Sequence, residues 1–280
     1  MSREENVAIF EDTKRLCKTN KRLLHEIPFS TVNQEVILEK HNISVSKDKR
    51  YDEKAKILIS KKRSLEAASA YKGQKICVHN FASATTPGGG VVKGSSAQEE
   101  CLCRVSSLYF SLNTKDMWDD FYTPHREGLD NIHNDDLIYT PDVIVFKTDT
   151  ANPQLMPEED WFDVNVITLA APKLRYQGGK GNNGRPNQDR KVTDKELLAI
   201  HEKRMRRFLD VAKAKGDEVL ILGAFGCGAF MNSPQIVAQA IKNILPEYLY
   251  DFRTIEFAVY CPPNDDTNYK VFERILKGLK

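Results

Sequence analysis

The segment KICVHNFASATTPGGGVVKGSSAQEE, Lys75 to Glu100, joins an apolar run to three consecutive glycines and two adjacent acids. The apolar run at 75–81 predicts a buried strand. From Ala97 onward, apolar residues recur at helical spacing, which predicts a helix. A strand that leads through a glycine-rich loop into a helix is a repeating unit of α/β sheets. The loop therefore belongs at the carboxyl end of a strand, where such sheets collect ligands.

The same alternation extends along the chain in both directions. Further strands are predicted at 35–39, 43–45, 55–60, 138–139, 143–146, 164–170, 218–222 and 254–260, and further helices at 3–26, 64–71, 193–215, 234–245 and 269–279. Pro28 is expected to end the first helix, and Ser64 is expected to cap the second. Thr193 and Glu196 have the spacing of a capping box, while residues 176–188 are almost wholly turn-forming and predict an exposed loop. The pattern predicts an α/β layered sheet covered by helices on both faces.

Composition excludes several classes of protein. The 280 residues include 41 basic and 39 acidic side chains, so no broad cationic surface is available to grip nucleic acid. The basic run at 203–207 is interpreted as the solvated face of a helix. The charged N-terminus and the lack of any long apolar stretch predict no membrane contact and a cytoplasmic location. Neither the six cysteines nor the six histidines have metal-ligand spacing, so no metal is expected.

A second glycine-rich stretch, 223–230, follows the predicted strand at 218–222 and also leads toward a helix. Glycine lets backbone N–H groups approach an anion, and a following helix N-terminus adds a favourable dipole. Either loop alone could be an ordinary tight turn, but two at equivalent strand ends favour a diphosphate held between them. Neither loop has the GxxxxGK[ST] or GxGxxG pattern, which argues against the common ATP-binding and dinucleotide-binding motifs.

Glu99 and Glu100 lie directly after the first loop. Two acids at a helix start stabilise the helix dipole, and that is their simplest explanation. Beside an anion site, however, they are costly unless they contact something other than phosphate. A ribose fits, because a carboxylate accepts hydrogen bonds from sugar hydroxyls and a carboxylic acid can protonate a departing glycosidic oxygen. The acid role requires burial or a nearby negative charge to raise the pKa.

Gly88-Gly-Gly90, seven intervening residues and Gln98-Glu-Glu100 resemble the signature of poly(ADP-ribose) glycohydrolases. Residues 80–83 and 222–230 resemble the microbial-type branch of that family, whose fold is that of a macrodomain. The resemblance implies a three-layer α/β/α domain at 55–280 with a mixed central sheet, preceded by a mainly helical N-terminal extension at 1–54. It also implies cleavage of the ribose–ribose bond of poly(ADP-ribose), with ADP-ribose released from chain ends.

Transferred by position, the resemblance assigns a role to thirteen residues. Glu100 would protonate the leaving oxygen and then activate water, while Glu99 would act beside it. The substrate-binding residues that the resemblance implies are Asn80, Gly88, Gly89, Gly90, Gln98, Gly226, Cys227, Gly228, Ala229, Phe230 and Tyr260. Tyr260 is the adenine neighbour by analogy, although an ordinary strand aromatic is the simpler interpretation of this residue.

Two alternatives stay open at this point. The chain could remove single ADP-ribose groups from modified proteins or nucleic acids, a choice that depends on segments such as 123–136 and 176–187. It could also bind ADP-ribose without cleaving it, although a reader gains little from a poised pair of acids. ADP-ribose or its polymer is the expected partner, no cofactor is expected, and the chain is expected to be a monomer.

Overall fold

The computed structural model describes residues 1–128, 130–175 and 189–279. Seven strands form one sheet: β1 Glu35–Ile37, β2 Lys56–Ser60, β3 Ile76–Phe81, β4 Leu137–Val145, β5 Phe162–Leu169, β6 Val219–Leu222 and β7 Thr254–Ala258. Their order is β1-β4-β5-β3-β6-β7-β2. β4 pairs antiparallel with β1 and β5, and every other pairing is parallel, so the sheet is mixed.

Helices cover both faces of this sheet. They are α1 Arg3–Thr19, α2 Lys21–Val32, α3 Ser64–Ala68, α4 Gln98–Val105, α5 Leu108–Leu112, α6 Lys115–Met117, α7 Thr123–Gly128, α8 Asp194–Lys215, α9 Pro234–Ile244 and α10 Thr267–Leu276. α8, α9 and α10 pack into the core on one face, and α1, α3, α4 and α5 pack into the core on the other. The expected three-layer α/β/α arrangement with a mixed sheet is confirmed.

The N-terminal helices pack against the layer that carries the acids. Phe10 of α1 is fully buried in the same core cluster as Leu102 of α4. Lys147 is also buried, and its ammonium contacts the Asp12 carboxylate at 2.8 Å, the Thr13 hydroxyl at 2.8 Å and a carbonyl of α1 at 3.0 Å. A buried cation needs such partners, so this cluster ties α1 to the turn after β4.

Several sequence-based boundaries are wrong. The first helix is two helices, because Asn20 ends α1 and its side chain accepts a hydrogen bond from Leu23 N–H at the start of α2. Pro28 lies inside α2 and does not end it. No strand forms at 43–45, and Arg63, not Ser64, is the N-cap of α3.

Other boundaries hold or need a smaller change. The two strands predicted around Pro141 are one strand, β4, whose register shifts between Thr140 and Val143. The capping box of Thr193 and Glu196 is present at the start of α8. The predicted loop at 176–188 lies outside the described residues. Within the described part of the chain, no helix has both the length and the apolar character needed to cross a bilayer.

Candidate active site

Because β3, β5, β6 and β7 are parallel, their carboxyl ends lie at one edge of the sheet, and the segments that follow them surround a cleft of about 730 Å³. Nine of the thirteen predicted site residues line this cleft. Those on the cleft wall are Gly89, Gln98, Glu99, Glu100, Gly226, Gly228, Ala229, Phe230 and Tyr260. This volume is typical of pockets that enclose a nucleotide-sized ligand.

Glu100 is 8% exposed and has one bonded and one free oxygen. Its Oε1 accepts a hydrogen bond from Gly90 N–H at 2.8 Å, which fixes the carboxylate against the glycine loop. Among the described residues nothing donates to its Oε2. A carboxyl group held by one oxygen and unengaged at the other, on the wall of a cleft, is suited to transfer a proton to a bound substrate.

Glu99 lies beneath Glu100 and is 3% exposed. Its Oε2 accepts from Ser83 N–H at 2.7 Å, and its Oε1 accepts from the Asn80 side-chain amide at 3.3 Å. Burial raises the pKa of Glu99 to about 8; the Ser83 hydrogen bond opposes the rise and the Glu100 charge adds to it. At neutral pH the Glu99 carboxyl is therefore mostly protonated, and the pair carries a proton.

The glycine loop at 88–90 lies directly against the two acids. Gly89 has a left-handed backbone with φ +57°, and a Cβ there would stand 2.6 Å from Glu100 Oε1 and 3.0 Å from Glu99 Oε2. A side chain at this position would displace both carboxylates. The Gly90 N–H thus donates to the chain's own Glu100 carboxyl, which explains why a glycine-rich loop precedes paired acids by so few residues.

The second loop presents free donors instead. The N–H groups of Gly228, Ala229 and Phe230 have no acceptor among the described residues, and all three residues line the cleft. Consecutive unpaired backbone N–H groups form a site for an anion such as a phosphate. This is the geometry expected for a loop that holds a diphosphate.

Asn232 fixes the shape of this loop and was not found from the sequence. It is 2% exposed, and its amide donates to the carbonyls of Pro172 at 2.7 Å and Gly226 at 3.1 Å. Its Oδ1 lies 2.8 Å from Nε2 of His201, whose pKa burial lowers to about 4, so the neutral ring donates. These bonds hold the Gly226 and Pro172 carbonyls on the Asn232 amide. Asn232 belongs to no motif, so no sequence signal could have identified it.

Four predicted site residues lie behind the cleft wall, where they are suited to support neighbouring groups and not to contact a substrate directly. Asn80 is fully buried and donates to Glu99 and to the Thr168 hydroxyl at 3.1 Å. Gly88 is buried under Tyr109. Gly90 holds Glu100 as described, and Cys227 packs against the core. None of these four lines the cleft.

Two other predicted residues lie on the cleft wall with partners of their own. The Gln98 amide bridges β3 and α3, since it accepts from Phe81 N–H at 2.9 Å and donates to the Ser64 hydroxyl at 3.0 Å. Tyr260 is 43% exposed, and the Arg63 guanidinium stacks 4.1 Å from its ring centroid. A half-exposed aromatic ring at a cleft is suited to contact a base, although the role of Tyr260 stays a prediction.

Comparison with known proteins agrees with this geometry. Residues 2–148 match the family model of the microbial-type PARG catalytic domain, PARG being poly(ADP-ribose) glycohydrolase. The chain belongs to the microbial-type PARG family. The predicted family membership is therefore confirmed, and the match covers both the paired acids and the N-terminal helices. None of the curated proteins matches the chain.

Solved structures of bacterial PARG enzymes resemble the whole fold. The enzyme from Thermomonospora curvata bound to the inhibitor ADP-HPD has a TM-score of 0.78 and 27% identity, covering 97% of this chain and 99% of that one. A second crystal structure of the same enzyme has a TM-score of 0.80 and 26% identity, with the same coverage. The Deinococcus radiodurans enzyme in complex with ADP-ribose has a TM-score of 0.77 and 29% identity, covering 91% and 98%.

The described residues contain no group of three or more His, Cys, Asp or Glu side chains able to hold a metal ion. The chain's own acids, amides and backbone donors line the cleft. The microbial-type PARG fold places these at the edge of the sheet to which β3, β6 and β7 all point.

Proposed function

We propose that the protein is a poly(ADP-ribose) glycohydrolase that cleaves the ribose–ribose O-glycosidic bond of the polymer and releases ADP-ribose. The observation that carries this is the Glu100 carboxyl, on the wall of the cleft. Gly90 N–H donates to one of its oxygens, and among the described residues nothing donates to the other and nothing accepts from the N–H groups of the second loop. Membership of the microbial-type PARG family and the ADP-ribose complex of the Deinococcus enzyme support it.

In this reaction Glu100 acts in its protonated form and gives that proton to the bridging oxygen as the bond to the anomeric carbon breaks. The departing ribose keeps that oxygen as a hydroxyl, and the positive charge develops on the ribose held in the cleft. Glu100, now a carboxylate, accepts a proton from a water molecule whose oxygen bonds to the anomeric carbon. The acid is regenerated, and ADP-ribose leaves with a new hydroxyl group.

The second loop and Glu99 support this step from two sides. A diphosphate bound at the N–H groups of Gly228, Ala229 and Phe230 places negative charge beside the ribose, which stabilises the developing cation. Glu99, through its fixed contacts with Ser83 and Asn80, would orient the ribose hydroxyls. We assign Tyr260 to the adenine end of the cleft and Phe230 to the side of the ribose.

The proposal extends to the cleavage site on the polymer, the oligomeric state, the cellular location and the domain boundaries. We propose release from chain ends, action as a monomer in the cytoplasm, and a catalytic domain at 55–280 that works with the extension at 1–54. Removal of single ADP-ribose groups from proteins or nucleic acids is the second candidate. None of the described residues of 123–136 lines the cleft, so that segment does not narrow the room for a different leaving group.

The test compares wild type with Glu100→Gln and with the exposed control Glu159→Gln. Release of free ADP-ribose from the polymer is measured alongside calorimetric binding of ADP-ribose. Loss of a positioned general acid costs about 10²–10⁴-fold in rate, so Glu100→Gln should lose at least about a hundredfold while still binding ADP-ribose. Binding by wild type without any release would refute the polymer reaction, and modified proteins and nucleic acids would then be tested as substrates.

A further inference from the structure

The N-terminal helix forms part of the cleft wall. Met1, Arg3 and Asn6 line the cleft together with the paired acids. Asn6 is 3% exposed, and its side-chain amide donates to the Gly94 carbonyl at 3.0 Å. Gly94 has φ +74°, and a Cβ there would overlap the Arg3 carbonyl group. The first turn of α1 therefore sits directly on the loop between the three glycines and α4.

Two hydrogen bonds connect this loop to the Glu100 carboxyl. Ser95 N–H donates to the Gly90 carbonyl at 3.1 Å, and Gly90 N–H donates to Glu100 Oε1 at 2.8 Å. The start of α1 is thus held next to Glu100 by backbone contacts, not by a flexible tether. A side chain from this turn that enters the cleft is in reach of a substrate bound there.

Arg3 carries a charge without a partner. Its exposed guanidinium lies within 4.0 Å of no carboxylate among the described residues. Of the two acids that follow it, Glu5 accepts from Ser2 N–H at 2.6 Å in the capping box of α1, and Glu4 feels the Arg3 charge without forming an ion pair with it. The cleft wall carries the acids Glu99, Glu100 and Asp149. Its cations are Arg3, Arg63 and Arg175, and Arg3 is the one that α1 holds beside the glycine loop.

A second group at this end of the cleft is also unused. The Oδ1 of Asn6 is buried and has no hydrogen-bond donor among the described residues. An unsatisfied buried acceptor costs free energy that a bound hydroxyl or N–H donor, such as a ribose hydroxyl of the polymer, can recover, whereas a phosphate oxygen cannot. An unpaired cation and an unused acceptor thus occur on the same helical turn, on the wall of the same cleft.

We propose that Arg3 is a further substrate-binding residue that takes a phosphate group of poly(ADP-ribose). The inference rests on the proposed function. A guanidinium binds phosphate through two parallel hydrogen bonds, and each unit of the polymer carries a diphosphate. The phosphate comes either from the unit being released or from the unit left behind on the chain. Either source gives the N-terminal extension a direct part in substrate recognition.

The experiment uses the full chain with Arg3→Gln, the conservative Arg3→Lys, and Lys18→Gln, which removes an exposed charge from the far end of the same helix. Three quantities are measured: calorimetric Kd for ADP-ribose, KM and kcat on the polymer, and KM on an aryl glycoside of ADP-ribose, which has no second phosphate-bearing unit. Melting temperatures are compared as a check on folding.

We expect Arg3→Gln to raise KM on the polymer roughly tenfold at low salt, with kcat within about twofold, and Arg3→Lys to restore part of the loss. If Kd for ADP-ribose rises as well, the phosphate is that of the released unit. If only the polymer KM rises, it is that of the unit left behind. Polymer KM and ADP-ribose Kd both within twofold of Lys18→Gln would overturn the inference.

The two proposals fail separately. Wild type that binds ADP-ribose but releases none from either substrate would end the proposed function, and Arg3 would then be judged by the Kd values for ADP-ribose and for the intact polymer. Wild type that releases ADP-ribose normally, with Arg3→Gln indistinguishable from it, would end the Arg3 inference alone.

Discussion

Replacing Glu99 with glutamine should make the protein more stable, and more so at high pH. Glu99 is 3% exposed, and burial raises its pKa from 4.5 to about 8. The folded state therefore holds the Glu99 proton more tightly than the unfolded chain does. Stability from this residue is fully present below about pH 4.5 and is lost as the pH rises through about 8.

The size of the effect follows from that shift. One unit of pKa corresponds to about 1.4 kcal/mol, so the change in unfolding free energy between pH 4.5 and 8 reaches at most roughly 5 kcal/mol. Glutamine carries no charge at any pH and avoids this loss. We expect Glu99→Gln to match wild type within about 1 kcal/mol at pH 5 and to exceed it by several kcal/mol at pH 8.5.

The amide also fits the hydrogen bonds that surround Glu99. Its oxygen can accept from Ser83 N–H as Glu99 Oε2 now does. The NH₂ group of the new glutamine would face the Asn80 side-chain amide. Asn80 Oδ1 is buried, and no described residue donates to it. If the Asn80 amide rotates, this oxygen can accept from the glutamine NH₂ group. The Thr168 hydroxyl can reverse its role to match.

The assay is urea unfolding of wild type, Glu99→Gln and the exposed control Glu159→Gln at pH 5, 7 and 8.5. The stability gained by Glu99→Gln should grow with pH, and the control should show no such trend. A gain that stays constant across the three pH values, or that shrinks as pH rises, would refute the assignment of a protonated Glu99.

Three further predictions concern the loops. Gly226→Ala should destabilise the fold by at least about 1–2 kcal/mol in urea unfolding, because Gly226 has φ +76° and its Cβ would meet Asn232. In Gly228→Ala the new Cβ points into open space, so stability should change by less than about 0.5 kcal/mol. Equal effects of the two substitutions would contradict the loop geometry. Asn232→Asp should weaken calorimetric ADP-ribose binding at least about tenfold, since a carboxylate would face the loop carbonyls, and unchanged binding would show that the loop holds its shape without the amide. Gly94→Ala should lower the melting temperature and expose α1 to protease, because its Cβ would overlap the Arg3 carbonyl; a protected α1 would argue against the contact.

Patterns that repeat along a strand or mark a helix end made most of the fold predictable. The apolar runs at β3, β6 and β7 lie within two residues of their predicted bounds, and Thr193 caps α8 as its spacing indicates. The glycine triplet and the paired acids identified the cleft because such residues lower the stability of a fold where no function requires them. Each of these signals is local, so a single sequence is enough to show it.

Features set by distant contacts were missed. Pro28 continues α2 because Leu23 and Ser30 on either side of it are buried by the rest of the fold, with the Ser30 hydroxyl bonded to the Pro141 carbonyl. Arg204, interpreted as solvated, is 1% exposed and bonded to Asp135 at 2.9 Å. A charge run on a helix does not reveal which of its members finds a partner 69 positions away.

The cleft wall contains residues from Arg3 in the first helix to Asn268 in the last. β2 lies at one edge of the sheet and pairs with β7, so this edge can form only after β7 has been synthesised. During synthesis at roughly 5–20 residues per second, the acids leave the ribosome long before the loop that would hold the diphosphate. A nascent chain therefore cannot complete the wall of this cleft until Asn268 has been synthesised.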